Sequence, residues 1–222
     1  MTATAIRNDD FAAMRSAMVA SQLRTTAVTD PHIVTAMADI PREAFVPPAQ
    51  AAGAYADRGV DLGEGRRLNP PLATGRLLNE ARLRGSDRVL LIGAASGYTA
   101  AVLARIVAQV VAVESNPALA AAARAALSGV ANVTLIEGAL ETGHAAGAPY
   151  DVLIVDGAVE ELSMTLVSQL VEDGRIAAGV IDRGVVRLAS GARTGASFAL
   201  TPFADIDAAR LPGFARPSGF VF

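Results

Sequence analysis

Cysteine is absent from this chain of 222 residues, and histidine occurs only twice. Without cysteine the chain has no disulfides, no thiolate metal ligands and no cysteine nucleophile, which fits the reducing cytoplasm where we expect the protein to be. His32 and His144 are far apart in sequence and cannot form a metal site by themselves, and surface or helix-cap positions are typical for such histidines. We therefore expect no bound metal.

The chain also lacks an excess of basic residues and a long apolar run. Its formal net charge is −3, and no cluster of basic side chains indicates a nucleic-acid partner. Asp9 and Asp10 stand where a signal peptide would have an unbroken apolar core. The run over 100–113 is interrupted by Arg105 and Gln109, so we expect no membrane partner. We expect a soluble protein whose hydrophobic residues, 52% of the chain, form a sizeable core.

The most informative segment begins with a buried strand at Val89–Ile92. A small-residue turn over 93–97 and a helix follow, and a second buried strand at Val110–Val113 ends in Glu114. Strands that are apolar on both sides suit a parallel sheet covered by helices. Small residues let the backbone approach a ligand closely, and a carboxylate after the next strand can accept hydrogen bonds from a ribose diol. The pattern predicts a cofactor that contains adenosine.

The turn alone does not settle this point. Gly93 and Gly97 are four residues apart, which is not the G-x-G-x-x-G spacing of nicotinamide-dependent dehydrogenases. A strand-to-helix turn without a ligand stays an alternative at this stage, and so does a solvated loop carboxylate for Glu114.

The pattern after residue 86 predicts an α/β fold with a doubly wound, mostly parallel sheet. Further strands at 133–136 and 152–155 alternate with Ala/Leu-rich helices, one of which starts at Asn116-Pro117. After Gly174 the pattern changes to strands joined by turns, at 175–181, 185–188 and 197–200, with a hairpin turn at 182–184. This change predicts an antiparallel C-terminal edge. Phe220–Phe222 is a candidate for a last strand fragment.

The first part of the chain is predicted to be helical and irregular. Apolar residues recur at helical spacing over 10–37, and a second short helix starts at Pro31 after an Asp30 cap. An irregular stretch, Gly-rich over 59–65, precedes another helix after Thr74 that carries Leu77, Leu78 and Leu83. We expect a single domain over 1–222, with an N-terminal substrate-side region over 1–85 and a cofactor-binding core over 86–222.

Several motifs occur in register between about residues 14 and 200. They are Met18-Val19 with Gln22-Leu23, the run Ala36-Met37 through Pro41-Arg42-Glu43 to Phe45-Val46-Pro47, Ala54-Tyr55 with Asp57, Gly63-Glu64-Gly65, the run Leu91 to Tyr98, and Ala148-Pro149-Tyr150-Asp151. Together they resemble the protein-L-isoaspartate O-methyltransferase family of class I methyltransferases. The resemblance implies a Rossmann-like fold, S-adenosyl-L-methionine as cofactor, and methyl transfer to isoaspartyl carboxylates of damaged proteins or peptides.

The resemblance also implies which residues bind the cofactor. They are Gly93, Ala94, Ser96, Gly97, Tyr98, Glu114, Ser115, Gly138, Ala139, Leu140 and Asp156. Alternatives stay open for three of them: Ser96 can cap the following helix, Tyr98 can pack at the helix start, and Asp156 can be a solvated acid at a strand end. If Asp156 lies at the transfer point, its charge can favour the sulfonium or repel an acidic acceptor.

Three positions depart from the family pattern. Asn69 stands where the family has a serine that contacts the substrate carboxylate, Leu91 replaces an acid, and Ala139 replaces an acid that commonly contacts adenine. We assign Asn69 a catalytic role through its amide, and substrate binding to Arg66, Arg67, Leu68 and Pro71. The arginines are alternatively solvated loop residues. A different methyl acceptor, or a non-catalytic cofactor-binding or partner-binding relative, is the alternative function.

Overall fold

The computed structural model describes residues 8–216 and contains two sheets with helices on both sides of the larger one. Its helices are α1 Asn8–Met18, α2 Pro31–Asp39, α3 Pro71–Glu80, α4 Tyr98–Ala104, α5 Pro117–Ala126 and α6 Met164–Val167. Its strands are β1 Val60–Gly63, β2 Arg66–Leu68, β3 Arg88–Ile92, β4 Gln109–Glu114, β5 Val133–Glu137, β6 Tyr150–Val159, β7 Leu170–Asp182, β8 Val185–Thr194 and β9 Ser197–Ala204. Short 3-10 helices occur at Arg42–Phe45 and Pro48–Gly53. The strand fragment predicted at Phe220–Phe222 lies outside the described residues.

The large sheet has seven strands in the order β5-β4-β3-β6-β7-β8-β9. The pairs from β5 through β7 are parallel, whereas β8 and β9 are antiparallel to their neighbours. The predicted α/β class and its antiparallel C-terminal edge are therefore confirmed. Because β4 and β5 lie on one side of β3 and β6 lies on the other, the strand order reverses between β3 and β6. Ligands of open α/β sheets bind outside the carboxyl ends of the strands at such a reversal.

Each face of the sheet has its own apolar core. On β3, Val89 and Leu91 belong to one core, and Leu90 and Ile92 belong to the other. The alternation follows from the two-residue period of a strand. The first core also contains buried residues of the N-terminal helices, so the segment before β3 packs against the sheet. The single-domain organisation and its division after residue 85 stay predictions.

Helix caps follow the sequence closely at two positions. Asp30 accepts a hydrogen bond from the backbone N of His32 at 2.8 Å, and α2 starts at Pro31 as predicted. Asn116 accepts from the backbone N of Leu119 at 3.0 Å, and α5 starts at Pro117. An acceptor side chain followed by proline satisfies free N–H groups and presets the first helical φ.

Two local predictions were wrong. Helix α3 begins at Pro71 rather than after Thr74, because proline fits the first helical position, and it ends before Leu83. The segment predicted to be irregular over 59–65 contains β1, which pairs with β2 in an antiparallel hairpin. Its strands are too short to produce a clear alternation of apolar and polar residues.

Candidate active site

The turn after β3 adopts a backbone conformation that favours glycine. Gly93 and Gly97 have φ angles of +83° and +99°. Residues with a side chain rarely adopt this backbone conformation. A Cβ atom on Gly97 would also lie 3.1 Å from Leu127 Cδ1 and 3.3 Å from Ala123 Cβ. The backbone N atoms of Gly93 and Ala94 both donate to the carbonyl of Val113 at 3.0 Å. The turn therefore holds the start of α4 at the carboxyl ends of β3 and β4.

Glu114 ends β4 inside the protein, with 0% of its surface exposed. Its Oε2 accepts from the backbone N of Ala95 at 2.7 Å, and its Oε1 accepts from the backbone N of Asn116 at 2.9 Å. Burial of a carboxylate requires such donors, because an unpaired buried charge costs several kcal/mol. Glu114 is thus not the solvated loop acid of the alternative interpretation.

Arg66 supplies the charge that balances Glu114. Its Nη1 donates to Oε1 at 2.5 Å and its Nη2 donates to Oε2 at 2.9 Å, so the two side chains form a bidentate ion pair. The alternation of β2 explains why Arg66 and its neighbour differ: Arg66 is buried, whereas Arg67 is exposed and donates to the carbonyl of Gly59 at 3.2 Å. Arg66 is therefore part of the site, and its interpretation as a solvated loop residue was wrong.

Asn69 lies beside β6, on the other side of β3 from Glu114, and its side chain binds two partners. Its Nδ2 donates to Oδ1 of Asp156 at 2.7 Å, and its Oδ1 accepts from the backbone N of Ala209 at 2.7 Å. Asn69 and Asp156 are both buried, so Asp156 is not a solvated acid at a strand end. The amide therefore connects the end of β6 to a segment near the C-terminus.

That segment, residues 208–211, passes over the crevice between β3 and β6, and we call it the crossing segment. The backbone N of Ala158 donates to the carbonyl of Ala209 at 2.7 Å, and the backbone N of Leu211 donates to the carbonyl of Ala158 at 3.0 Å. The Cδ atoms of Leu211 lie 3.0 Å from the position that a Cβ atom on Gly93 would occupy. The crossing segment thus covers the turn after β3.

Arg42 connects the segments that surround Asn69 and Tyr98. Its Nε donates to the carbonyl of Ala54 at 2.7 Å, and its Nη2 donates to the carbonyl of Asn69. Its guanidinium carbon lies 4.7 Å from the centre of the Tyr98 ring, a cation–π arrangement. Tyr98 is buried and meets Phe45 edge-on at 5.7 Å between ring centres. Tyr98 therefore packs at the start of α4, as the alternative interpretation held.

Burial changes the ionisation of this cluster. Desolvation lowers the pKa of Arg42 and raises the pKa of Tyr98. Desolvation also raises the pKa of Asp156 above 3.8, and hydrogen bonds to the carboxylate and the charges of Arg42 and Arg66 oppose this increase only in part. Each direction follows from the cost of placing a charge away from water.

Ser96 connects the turn to the N-terminal region. Its Oγ donates to the carbonyl of Phe45 at 2.5 Å. Helix α4 has no side-chain cap, and the residue at its N-cap is Gly97. The hydroxyl of Ser96 therefore holds the 3-10 helix Arg42–Phe45 against the turn over 93–97 instead of capping α4.

The remaining predicted positions lie around this centre. Half-buried Ser115 follows Glu114, and the backbone N of Gly138 donates to the carbonyl of Glu114 at 3.0 Å. Ala139 is exposed and Leu140 is buried at the same edge of the sheet. Leu68 and Pro71 are buried beside Asn69, whereas the side chain of Arg67 points away from Glu114. The ligand contacts of all these residues stay predictions.

The placement of these groups fits an adenosine-containing cofactor. A buried carboxylate ends β4, the buried turn over 93–97 donates a backbone N–H to it, and half-buried Ser115 and Gly138 adjoin it. Within residues 8–216, no group of three or more side chains could hold a metal ion. In the same part of the chain, every helix is too short or too polar to cross a bilayer.

Three contributors to the site were not predicted from the sequence: Arg42, Ala209 and Leu211. Arg42 was visible within the motif Pro41-Arg42-Glu43, but nothing in that motif indicated a buried guanidinium. Ala209 and Leu211 carry no local pattern that marks them, because their contacts depend on a chain reversal after β9.

Known proteins resemble this chain over most of its length. Residues 13–198 match the family model described as Protein-L-isoaspartate(D-aspartate) O-methyltransferase (PCMT). The chain is 40% identical over 187 residues to Protein-L-isoaspartate O-methyltransferase 1 of Rhodopseudomonas palustris (strain HaA2), covering 83% of this chain and 76% of that protein. It is 38% identical over 187 residues to the enzyme of the same name from Methanoregula boonei, covering 83% and 84%.

Solved structures give the same result for the fold. One protein-L-isoaspartate O-methyltransferase superposes with a TM-score of 0.72 at 27% identity, covering 87% of this chain and 65% of that one. A Plasmodium falciparum structure in complex with S-adenosyl-L-homocysteine has a TM-score of 0.71 at 15% identity, covering 88% and 98%, and supports the fold alone. The matched segment includes β3 to β8, with Gly93, Glu114 and Asp156. The chain therefore belongs to the protein-L-isoaspartate O-methyltransferase family.

Proposed function

We propose that this protein transfers the methyl group of S-adenosyl-L-methionine to the side-chain carboxylate of isoaspartyl residues in damaged proteins or peptides. The observation that carries the proposal is the buried carboxylate of Glu114 beside the turn over 93–97, in a chain that belongs to this family. Membership of the family supports both the enzyme class and the cofactor.

Three parts of the site would hold the cofactor. The carboxylate of Glu114 would accept hydrogen bonds from the ribose hydroxyls, and residues 138–140 with Ser115 would border the adenine. The turn over 93–97 would contact the methionine portion through its backbone. When bound, S-adenosyl-L-methionine supplies an electrophilic methyl group on a sulfonium.

The protein mainly has to position the acceptor. A carboxylate is ionised at neutral pH, so its methylation requires no general base. Alignment of two reactants in one site can account for a large part of a rate enhancement. Asn69 has one amide N–H beyond the one that binds Asp156, and we assign this N–H to the acceptor carboxylate.

A second candidate function is methylation of a different acceptor by the same cofactor. It is supported by the hydrogen bonds that Asn69 already makes with Asp156 and Ala209, because they restrict what its amide can offer to a substrate. Both candidates bind the same cofactor, so only the identity of the methylated product distinguishes them.

A methylation assay separates these candidates. An isoaspartyl peptide incubated with methyl-labelled cofactor should yield base-labile methyl esters, whereas the same peptide with normal aspartate should yield none. Absence of labelled ester, together with measurable binding of S-adenosylhomocysteine in calorimetry, would support the different acceptor. Absence of binding at millimolar S-adenosylhomocysteine would refute both candidates and favour a non-catalytic relative.

We further propose that the protein acts in the cytoplasm on protein or peptide substrates, without nucleic-acid partners. Support for this location comes from the absence of cysteine. Fractionation of cells that produce the full chain would test it.

A further inference from the structure

The carboxylate proposed to bind ribose already has a full set of donors. Each oxygen of Glu114 accepts two hydrogen bonds: Oε1 from Arg66 Nη1 and Asn116 N, and Oε2 from Arg66 Nη2 and Ala95 N. A carboxylate offers about four acceptor positions in total. A ribose diol can therefore bind both oxygens only if each oxygen loses one of its donors, and Arg66 is the residue that donates to both.

Arg66 is the donor that can leave. The N–H group of Ala95 belongs to the backbone of the turn over 93–97. The N–H group of Asn116 belongs to the backbone of the cap of α5, where the Asn116 side chain also accepts from Leu119 N. Arg66 reaches Glu114 through a long side chain from β2, a strand of three residues in a two-stranded sheet. Moving the side chain leaves the large sheet and its turns intact.

A cleft with an excess of positive charge lies next to Arg66 in the chain. A surface cleft of about 240 Å³ is lined by Gly65, which adjoins Arg66, by Arg67 and by residues 207–210. Two arginines, Arg67 and Arg210, line this cleft against one acid, Asp207. Such an excess of positive charge favours an anionic ligand, and a guanidinium binds a carboxylate through two parallel hydrogen bonds.

We propose that Arg66 is a specificity-determining residue with two alternative partners: Glu114 in the free protein, and the acceptor carboxylate once ribose binds to Glu114. Binding is then ordered, because the guanidinium becomes available to the acceptor only after the cofactor is in place. The inference rests on the proposed function. It also requires that cofactor and acceptor strengthen the binding of each other by the same factor, since coupling between two ligands is reciprocal.

The test measures binding rather than turnover. S-adenosylhomocysteine is titrated by calorimetry, and a fluorescent isoaspartyl peptide by anisotropy with and without saturating S-adenosylhomocysteine. In the wild-type protein we expect the ligand to strengthen peptide binding at least tenfold. In Arg66→Gln we expect tighter binding of S-adenosylhomocysteine, by about tenfold, and loss of its effect on the peptide. If Arg66 had only a structural role, its replacement would weaken the binding of both S-adenosylhomocysteine and the peptide.

Arg105→Gln is the matched control, because it removes the same charge from an exposed side chain that pairs with Asp39 instead of Glu114. It should leave both the affinity for S-adenosylhomocysteine and the coupling factor unchanged. If Arg66→Gln does not fold, Arg66→Lys keeps the charge but cannot form the bidentate pair, and it should also bind S-adenosylhomocysteine more tightly than wild type.

The outcomes separate the inference from the proposed function. Equal or weaker binding of S-adenosylhomocysteine by the folded Arg66 variant, with normal binding by the wild type, would overturn the inference and leave the proposed function intact. No binding by either protein would overturn both.

Discussion

The amide of Asn69 donates to the carboxylate of Asp156 at 2.7 Å, although the two residues are 87 positions apart in the chain. The same amide also accepts from the backbone of Ala209. Asn69 therefore connects the segment before α3, the end of β6 and the crossing segment through one side chain.

Replacing Asn69 by the serine of the family should loosen the crossing segment. Serine is too short to reach both partners, and a buried polar group that loses its partner costs 1–3 kcal/mol, so Asn69→Ser should lower the free energy of unfolding by about 2 kcal/mol. Hydrogen exchange should become faster at Ala209 and Leu211. Asn79→Ser is the control, because it removes two backbone contacts far from the crevice, at Thr29 and Asp30. If both variants accelerate exchange at Leu211 equally, the connecting role of Asn69 is wrong.

Asp156→Asn should change how stability depends on pH. Burial raises the pKa of Asp156 above its unfolded value of 3.8. The folded state therefore holds the proton more tightly, and the stability that this proton contributes is present below about pH 4 and is lost as the pH rises through the folded pKa. The variant has no such proton, so its free energy of unfolding relative to wild type should increase as the pH rises above about 4. Each unit by which the folded pKa exceeds the unfolded pKa changes the free energy of unfolding by about 1.4 kcal/mol.

Urea denaturation at several pH values measures this difference. Asp205→Asn removes the same charge from an exposed side chain and corrects for the change in net charge. A constant difference between Asp156→Asn and wild type across the pH range would show that Asp156 does not titrate differently in the folded state.

Glu114→Gln should weaken both the fold and the cofactor site. The new amide NH₂ would face backbone N–H groups and the guanidinium of Arg66, and breaking a buried ion pair costs about 3–5 kcal/mol. We expect a loss of this size in thermal or chemical denaturation, and binding of S-adenosylhomocysteine weakened by more than tenfold. Glu137→Gln is the control on the adjacent strand, where Glu137 pairs in register with Glu114 and forms a solvent-exposed ion pair with Arg124. That change should cost less than about 1 kcal/mol. Unchanged affinity in Glu114→Gln would refute the ribose role.

Gly157→Ala should displace the crossing segment. A Cβ atom at this position would lie 2.5 Å from the carbonyl O of Ala209 and 2.6 Å from Leu211 Cγ. The contact with backbone cannot be relieved by a change of rotamer, so overpacking should cost about 1–3 kcal/mol. Limited proteolysis should cleave the variant near Arg210 faster than wild type. Gly129→Ala has no atom within 4 Å of the new Cβ and serves as the control. Resistance equal to wild type would mean that the crossing segment is not held at Gly157.

The sequence predicted the parallel sheet and its antiparallel edge because strands of alternating or continuous apolar residues are local signals. It also predicted the starts of α2 and α5, since a cap side chain and a proline act within one helical turn. Glu114 was singled out for the same reason, because it ends an apolar strand.

The partners of the site residues were not predictable in this way. Asn69 and Ala209 are 140 residues apart, and Arg66 and Glu114 are 48 apart, so no short pattern contains both members of either pair. The sequence left Arg66 and Arg67 equivalent. Only the hairpin, whose strands are too short to recognise, places one arginine inside and the other outside.

The position of the crossing segment has a consequence for biosynthesis. During translation, Asn69, Gly93 and Asp156 are made before Ala209 and Leu211. A nascent chain can thus complete the parallel strands while the crevice between β3 and β6 is still open and its apolar lining is in contact with water. Surfaces of this kind attract other unfinished chains and chaperones. Synthesis of the crossing segment, rather than formation of the sheet, would then end this period of exposure.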